Sequence, residues 1–171
     1  MPESAPRVRL VMVMPKPSRR DVSASFDRAE ALYNALEAQG APIALECVRP
    51  ATREALTQRL SELEGREAYI LYYDGPIAPT EQGGALVFEA PEGEDLLSSQ
   101  ALQEMASHAS MILLGGLSEE MRSTLSAPSG APPLVLIGAH LTGEAAARGW
   151  AAFWEALLAG QPIGQAAAEA S

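Results

Sequence analysis

The sequence is short of the residues that most often carry out chemistry. Its 171 residues include one cysteine and two histidines. A single cysteine, Cys47, excludes an intramolecular disulfide, which is typical of a protein kept in a reducing compartment. Because Cys47 falls within a predicted strand, we expect its thiol to be buried. The sequence also lacks closely spaced metal ligands and any GxxxxGK or GxGxxG pattern, so we predict neither a metal site nor a cofactor.

Basic residues and long apolar runs are scarce as well. Twelve basic residues stand against 22 acidic ones, and the net charge of −10 disfavours binding to nucleic acid or to an anionic membrane surface. No apolar run approaches the roughly 18 residues that a membrane helix needs. The N-terminal residues have no signal-peptide pattern. These features predict a cytoplasmic protein with no nucleic-acid partner and no membrane partner.

Apolar runs of strand length alternate with amphipathic segments along the chain. The predicted core strands cover residues 8–14, 43–48, 68–73, 111–114 and 134–137. Continuous apolar strands that alternate with helices indicate a parallel sheet covered on both faces. We therefore predict one α/β domain over residues 1–171, built as a three-layer α/β/α sandwich with a mainly parallel central sheet. Residues 83–89 and the acidic turn after them predict an additional hairpin.

Two predicted helices carry clear apolar stripes. The first stripe consists of Phe26, Ala29, Leu32, Tyr33 and Leu36. The second, near the C-terminus, consists of Trp150, Phe153, Trp154, Leu157 and Leu158. Both have the spacing of residues that face a core, so we expect both stripes to be buried.

Two predicted strands run into glycine turns, and these turns hold most of the candidate functional residues. Open α/β sheets bind ligands outside the carboxyl ends of their strands. A histidine follows the last predicted strand at the same edge. The candidate residues for binding a partner or a ligand are Asp74, Gly75, Pro76, Gly115, Gly116, Leu117, Ser118 and His140.

Several kinds of chemistry are compatible with these turns. A phosphate loop at Gly115 and Gly116 is disfavoured because Glu119 and Glu120 in the next helical turn would repel the phosphate. A hydrolase could use Ser118 as nucleophile and His140 as base, with Asp74 as a possible third member. The position of Ser118 favours a role as the cap of the helix that follows it over the catalytic role. A small-ligand sensor with a pocket at the strand ends is a third hypothesis.

Many weak motifs, taken in order, give the chain a resemblance to a known family. The segments RLVMVMPKPS, ATREALTQRL, GGALVFEAPEGEDLLSSQAL and FWEALLAGQPIGQAAAEA are similar in order and spacing to those of the CHAT domain, a caspase-like cysteine peptidase module. The similarity covers nearly the whole chain. It implies a caspase-like fold and an association with bacterial defence or signalling systems.

The same resemblance implies that the catalytic residues of the family are missing. The family's catalytic histidine lies in a turn where this sequence has Pro76, and its catalytic cysteine lies where this sequence has Leu117. Proline cannot act as a base and leucine cannot act as a nucleophile. The resemblance therefore implies a catalytically inactive pseudo-peptidase that acts as an interaction or regulatory module. Its expected partner is a protein: an active CHAT peptidase, a tetratricopeptide-repeat protein or a second copy of itself.

Overall fold

Five parallel strands form the central sheet of the computed structural model, which describes residues 8–17, 21–40, 43–81, 83–125 and 129–170. These strands are β1 (Val8–Val13), β2 (Ile43–Cys47), β3 (Tyr69–Asp74), β7 (Met111–Leu117) and β8 (Leu134–Gly138). Their order across the sheet is β2-β1-β3-β7-β8. The direction of winding reverses between β1 and β3, so their carboxyl ends flank the topological switch point.

Helices cover both faces of this sheet and complete three layers. The helices are α1 (Ser23–Ala38), α2 (Arg53–Leu63), α3 (Ser99–Met105), α4 (Glu119–Thr124), α5 (Gly143–Leu158) and α6 (Ile163–Glu169). Helices α1, α5 and α6 pack on one face and share one apolar core with it. Helices α2 and α3 contribute to a second core on the opposite face. The predicted α/β sandwich with a mainly parallel sheet is confirmed. Among the described residues, no helix combines the length and apolarity needed to cross a membrane.

A small antiparallel sheet lies between β3 and α3 in the chain. It consists of β4 (Ile77–Thr80), β5 (Gly83–Ala90) and β6 (Gly93–Ser98), in that order. The β5–β6 pair confirms the predicted hairpin. Strand β4 was not predicted, because its four residues include Pro79 and become exposed at the end of the strand, which gives no apolar run.

Four buried-residue predictions fail, and three of these residues lie in α1 and β2. Phe26 and Tyr33 of α1 are each 41% exposed, while the buried face of that helix consists largely of alanine and leucine. Cys47 is also exposed, contrary to the prediction of a buried thiol. Strand β2 is an edge strand, and its side chains alternate so that Leu45 and Cys47 lie on its less covered face.

The stripe on α5 follows the prediction more closely. Trp150, Phe153 and Trp154 are all buried, and they contact one another with ring centroids 5.0 to 6.2 Å apart. Tyr72 of β3 adds an edge-to-face contact with Trp150 at 6.1 Å. Leu158 departs from the prediction, because it lies at the end of the helix and is 53% exposed. The aromatic residues therefore form one face of the core that supports the central strands.

Candidate functional site

Strand β3 ends in a carboxylate that solvent does not reach. All six of its residues, YILYYD, are buried, and Asp74 is 0% exposed. Side chains alternate along a strand, so Tyr72 and Asp74 lie on the same face of the sheet, toward α1 and α5. A buried carboxylate requires a partner of opposite charge or several hydrogen bonds.

Arg28 of α1 supplies that partner in a two-pronged contact. Its Nε donates to Oδ2 of Asp74 at 2.6 Å, and its Nη2 donates to Oδ1 at 2.7 Å. The hydroxyl of Tyr72 donates a third hydrogen bond to Oδ2 at 2.7 Å. Arg28 is itself only 3% exposed. Both charges are thus withdrawn from water together, with the planar fork geometry that arginine and carboxylate favour.

The remaining nitrogen of the guanidinium reaches a further strand. Nη1 of Arg28 donates to the carbonyl of Ala139, just after β8, at 3.2 Å. One side chain of α1 therefore joins the carboxyl ends of β3 and β8. We call Arg28, Tyr72 and Asp74 the buried triad.

The electrostatics of the triad favour charged Arg28 and neutral Tyr72. Burial alone would lower the pKa of Arg28, but the hydrogen bond and charge of Asp74 outweigh it and raise that pKa. Burial raises the pKa of Tyr72 well above its usual range, and the negative charge of Asp74 adds to this effect. Tyr72 therefore stays a hydrogen-bond donor throughout the neutral range.

The two adjacent glycines of β7 give the triad its space. Gly115 pairs with Asp74 across the strands, and a Cβ atom at residue 115 would overlap the Asp74 carboxylate. At Gly116, φ is +78°, a backbone conformation that residues other than glycine rarely adopt. A Cβ there would also lie 3.0 Å from Nη2 of Arg28. These glycines are thus explained by the ion pair beside them.

The residues on the two sides of the switch point between β1 and β3 approach each other closely. A Cβ at Gly75 would lie 2.8 Å from Cδ of Pro15, so the loop after β1 packs directly on the turn after β3. The backbone N–H of Lys16 donates to Oε1 of Glu89 at 2.8 Å, which ties the same loop to β5. These contacts lie at the position where open α/β sheets commonly bind ligands.

Pro76 and Leu117 occupy different environments. Pro76 is half-buried, and its carbonyl accepts hydrogen bonds from the Tyr73 hydroxyl at 2.8 Å and from the Val87 N–H at 3.1 Å. Leu117 is 1% exposed and packs in the core on the α2 and α3 face. Our prediction that Leu117 belongs to a turn is wrong, because β7 continues through the glycine pair and ends at that residue.

Ser118 and His140 lie at the exposed ends of β7 and β8. Ser118 caps α4, as its position predicted: its Oγ accepts from the Met121 N–H at 3.3 Å. His140 packs against Gly138, where a Cβ would lie 2.6 Å from the imidazole Cε1. Among the described residues, no hydrogen bond joins Ser118 to His140 or to Asp74. The groups of the hydrolase hypothesis are therefore not arranged as a relay in this conformation.

Arg28 is the important residue that we did not predict from the sequence. It lies on the buried side of α1 with Ser25 and Leu32, at the spacing of a helical stripe. A charged residue at such a position calls for a buried opposite charge. Asp74, at the end of an otherwise apolar strand, was the matching signal.

The structure also bears on metal binding and on the position of a pocket. The described part of the chain contains no group of three or more histidine, cysteine or carboxylate side chains placed to hold a metal ion. A cavity of about 340 Å³ does exist, but it lies along the outer edge of β8. Of the predicted site residues, His140 alone lines it.

Comparison with known proteins adds no family assignment to this geometry. No protein-family model matches the chain, and no curated protein matches it. The resemblance to the CHAT domain therefore stays a prediction from the sequence.

Proposed function

We propose that the chain is a catalytically inactive, CHAT-like pseudo-peptidase that acts as a protein-interaction or regulatory module. The observation that carries this proposal is the buried triad. Asp74, at the carboxyl end of β3, is already bound by Arg28 and Tyr72 and is closed to solvent. A peptidase of the caspase type needs a thiolate and an imidazole at these strand ends. By the resemblance to the CHAT domain, Pro76 and Leu117 stand at the corresponding positions.

The environment of these two residues supports an arrangement built for stability. The Leu117 side chain is part of the core, and the Pro76 carbonyl belongs to the hydrogen bonds that join β3 to β5. A nucleophile at position 117 would be buried in that core, and it would have to leave the core to reach a base. A module of this kind would act through the surface that its scaffold presents.

The exposed loops beside the triad are the proposed interaction surface. Thr80 and Glu81, at the tip of the β4–β5 turn, and Ser118 to Glu120, at the start of α4, are exposed. Loops carried on a rigid sheet are common sites of recognition. The partner is a protein: an active CHAT peptidase, a tetratricopeptide-repeat protein or a second copy of the chain.

Charge reversal on this surface tests the interaction. The native complexes of tagged wild type and of Glu81→Arg are compared by cross-linking in the producing cell, with Glu30→Arg on α1 as control. Both glutamates are exposed, so both variants should fold. We expect a specific cross-linked protein that Glu81→Arg loses at least tenfold and Glu30→Arg retains. A wild type that cross-links to no protein, or equal loss in both variants, would contradict the proposal.

Enzyme assays test the claim of inactivity. We expect the wild type and Ser118→Ala to show the same background rate on peptide and ester substrates, since Ser118 acts as a helix cap. Loss of the cap should still destabilise the fold by about 1 kcal/mol, which a urea titration measures. A turnover that Ser118→Ala and His140→Ala both abolish, in folded protein, would establish the hydrolase hypothesis instead.

A further inference from the structure

A groove runs along the outer edge of the central sheet, at strand β8, on the same face of the sheet as the buried triad. Strand β8 forms one wall, and α5 with α6 forms the other. It encloses about 340 Å³. Its apolar lining includes Val135, Ile137, Ala146, Trp150, Phe153 and Ala167. A cavity of this size and character is large enough for a small organic molecule.

The polar groups of the groove include an arginine with an unused donor. Arg122 of α4 lines it, and the buried Nε of that side chain has no hydrogen-bond partner among the described residues. Its guanidinium lies 3.7 Å from the carboxylate of Glu119, which is beyond hydrogen-bond distance, and the Glu119 side chain is 93% exposed. A buried donor without an acceptor is unfavourable, so a ligand oxygen that reached Nε would be stabilised.

The position of Arg122 gives the groove a polar end and an apolar end. Arg122 and His140 both follow the carboxyl ends of their strands, β7 and β8, whereas the aromatic residues of α5 line the apolar part. His140 adds ring nitrogens that can donate or accept hydrogen bonds. A matching ligand therefore has an anionic group at one end and an apolar body at the other.

We propose that this groove binds a medium-chain carboxylate, with its carboxylate on Arg122 and its tail along Val135, Trp150 and Phe153. A guanidinium matches the planar geometry of a carboxylate. A doubly charged phosphate fits less well, because Glu119 and Glu120 lie in the same short helix. A cavity of about 340 Å³ lies within the range of small-molecule sites, so octanoate and decanoate are suitable probes. This proposal is independent of the interaction function above.

Tryptophan fluorescence provides a direct measurement of binding. The chain has two tryptophans, and Trp150 lines the groove while Trp154 packs beside it. Decanoate is added to the full chain below its micelle concentration, and calorimetry gives the stoichiometry. We expect saturable binding of one molecule per chain. Octanoate should bind about fifteenfold more weakly, since each methylene lost weakens binding about fourfold.

The role of Arg122 is tested with a neutral ligand and a matched variant. Arg122→Gln should weaken decanoate binding about tenfold or more and leave decanol binding unchanged. Arg148→Gln on α5 is the control, because Arg148 is 75% exposed and does not line the groove. Equal effects of Arg122→Gln on decanoate and decanol, or no saturable binding by the wild type, would overturn the proposal.

The position of the tail is tested by filling the groove. Ala167→Phe should abolish binding of both decanoate and decanol, whereas Ala168→Phe, at an exposed position of the same helix, should leave both unchanged. Circular dichroism and urea titration establish that each variant is folded. If Ala167→Phe does not fold, the comparison of Arg122→Gln with Arg148→Gln decides the matter alone. Unaltered binding in a folded Ala167→Phe would refute the assigned position.

Discussion

Two arginines near the carboxyl ends of the sheet have opposite surroundings. Arg28 is buried against Asp74 and uses three of its nitrogens in hydrogen bonds. Arg122 lies at a groove on the sheet edge, with a buried Nε that has no acceptor in the described part of the chain. Arg28 stabilises the fold, whereas Arg122 keeps a hydrogen-bond donor that is available to a ligand. The comparison suggests that the central strand ends stabilise the fold while binding takes place at the surface.

The largest effect is expected from breaking the buried triad. Asp74→Ala leaves the Arg28 charge buried without compensation, which should lower the free energy of unfolding by about 3–5 kcal/mol. Urea titration followed by circular dichroism measures this loss. It is a large fraction of the roughly 5–15 kcal/mol by which natural domains are stable.

Two further variants test whether this loss of stability comes from the uncompensated buried charge. The double variant Arg28→Met with Asp74→Leu removes both charges, and it should be more stable than Asp74→Ala alone. Asp95→Ala removes an exposed partner of Arg53 and should cost about 1 kcal/mol or less. If Asp74→Ala and Asp95→Ala were equally stable, the triad would not be the structural centre that we infer.

An intermediate effect is expected from the third member of the triad. Tyr72→Phe removes the hydroxyl that donates to Asp74 at 2.7 Å, and it should lower stability by about 1.5–3 kcal/mol at neutral pH. Tyr33→Phe, at a position 41% exposed, should change stability by less than about 0.5 kcal/mol. Thermal and urea unfolding of both variants measure this difference.

The pH dependence of stability tests whether the Tyr72 hydroxyl causes this difference. The folded-state pKa of Tyr72 is raised, whereas an unfolded tyrosine titrates near pH 10. The unfolded state therefore loses its proton first, and the contribution of Tyr72 to stability is complete below about pH 10 and declines above it. The difference in stability between wild type and Tyr72→Phe should shrink as the pH rises above 10. A constant difference would argue against titration of Tyr72.

The sequence predicts the layers of this fold better than its surface. Strands that are apolar along their whole length must be covered on both faces, so the parallel sheet follows directly from the pattern. The exposure of Phe26 and Cys47 does not follow, because it depends on how α1 packs in the tertiary structure and on which strand lies at the edge of the sheet. Strand order is a property of the tertiary structure that local periodicity does not contain.

The candidate site, like the fold, was only partly predictable from the sequence. Asp74 and Ser118 lie at strand ends as their positions in the sequence indicate, whereas Leu117 does not lie in a turn, and Asp74 was interpreted without its partner. Arg28 lies 46 residues away in sequence, and pairing over such a distance cannot be derived from local pattern alone. The groove at β8 is less predictable still, since its lining comes from four separate elements.

The smallest effect is expected at the second arginine, and it completes the comparison. Arg122→Gln should change the free energy of unfolding by no more than about 0.5 kcal/mol, because the ion pair that it removes, with Glu119 at 3.7 Å, is largely exposed to solvent. Urea titrations without ligand, beside Arg148→Gln, measure this change. A loss above about 2 kcal/mol would mean that Arg122 stabilises the fold as Arg28 does. A negligible loss together with weakened decanoate binding would separate the two arginines by role, one for the fold and one for a ligand.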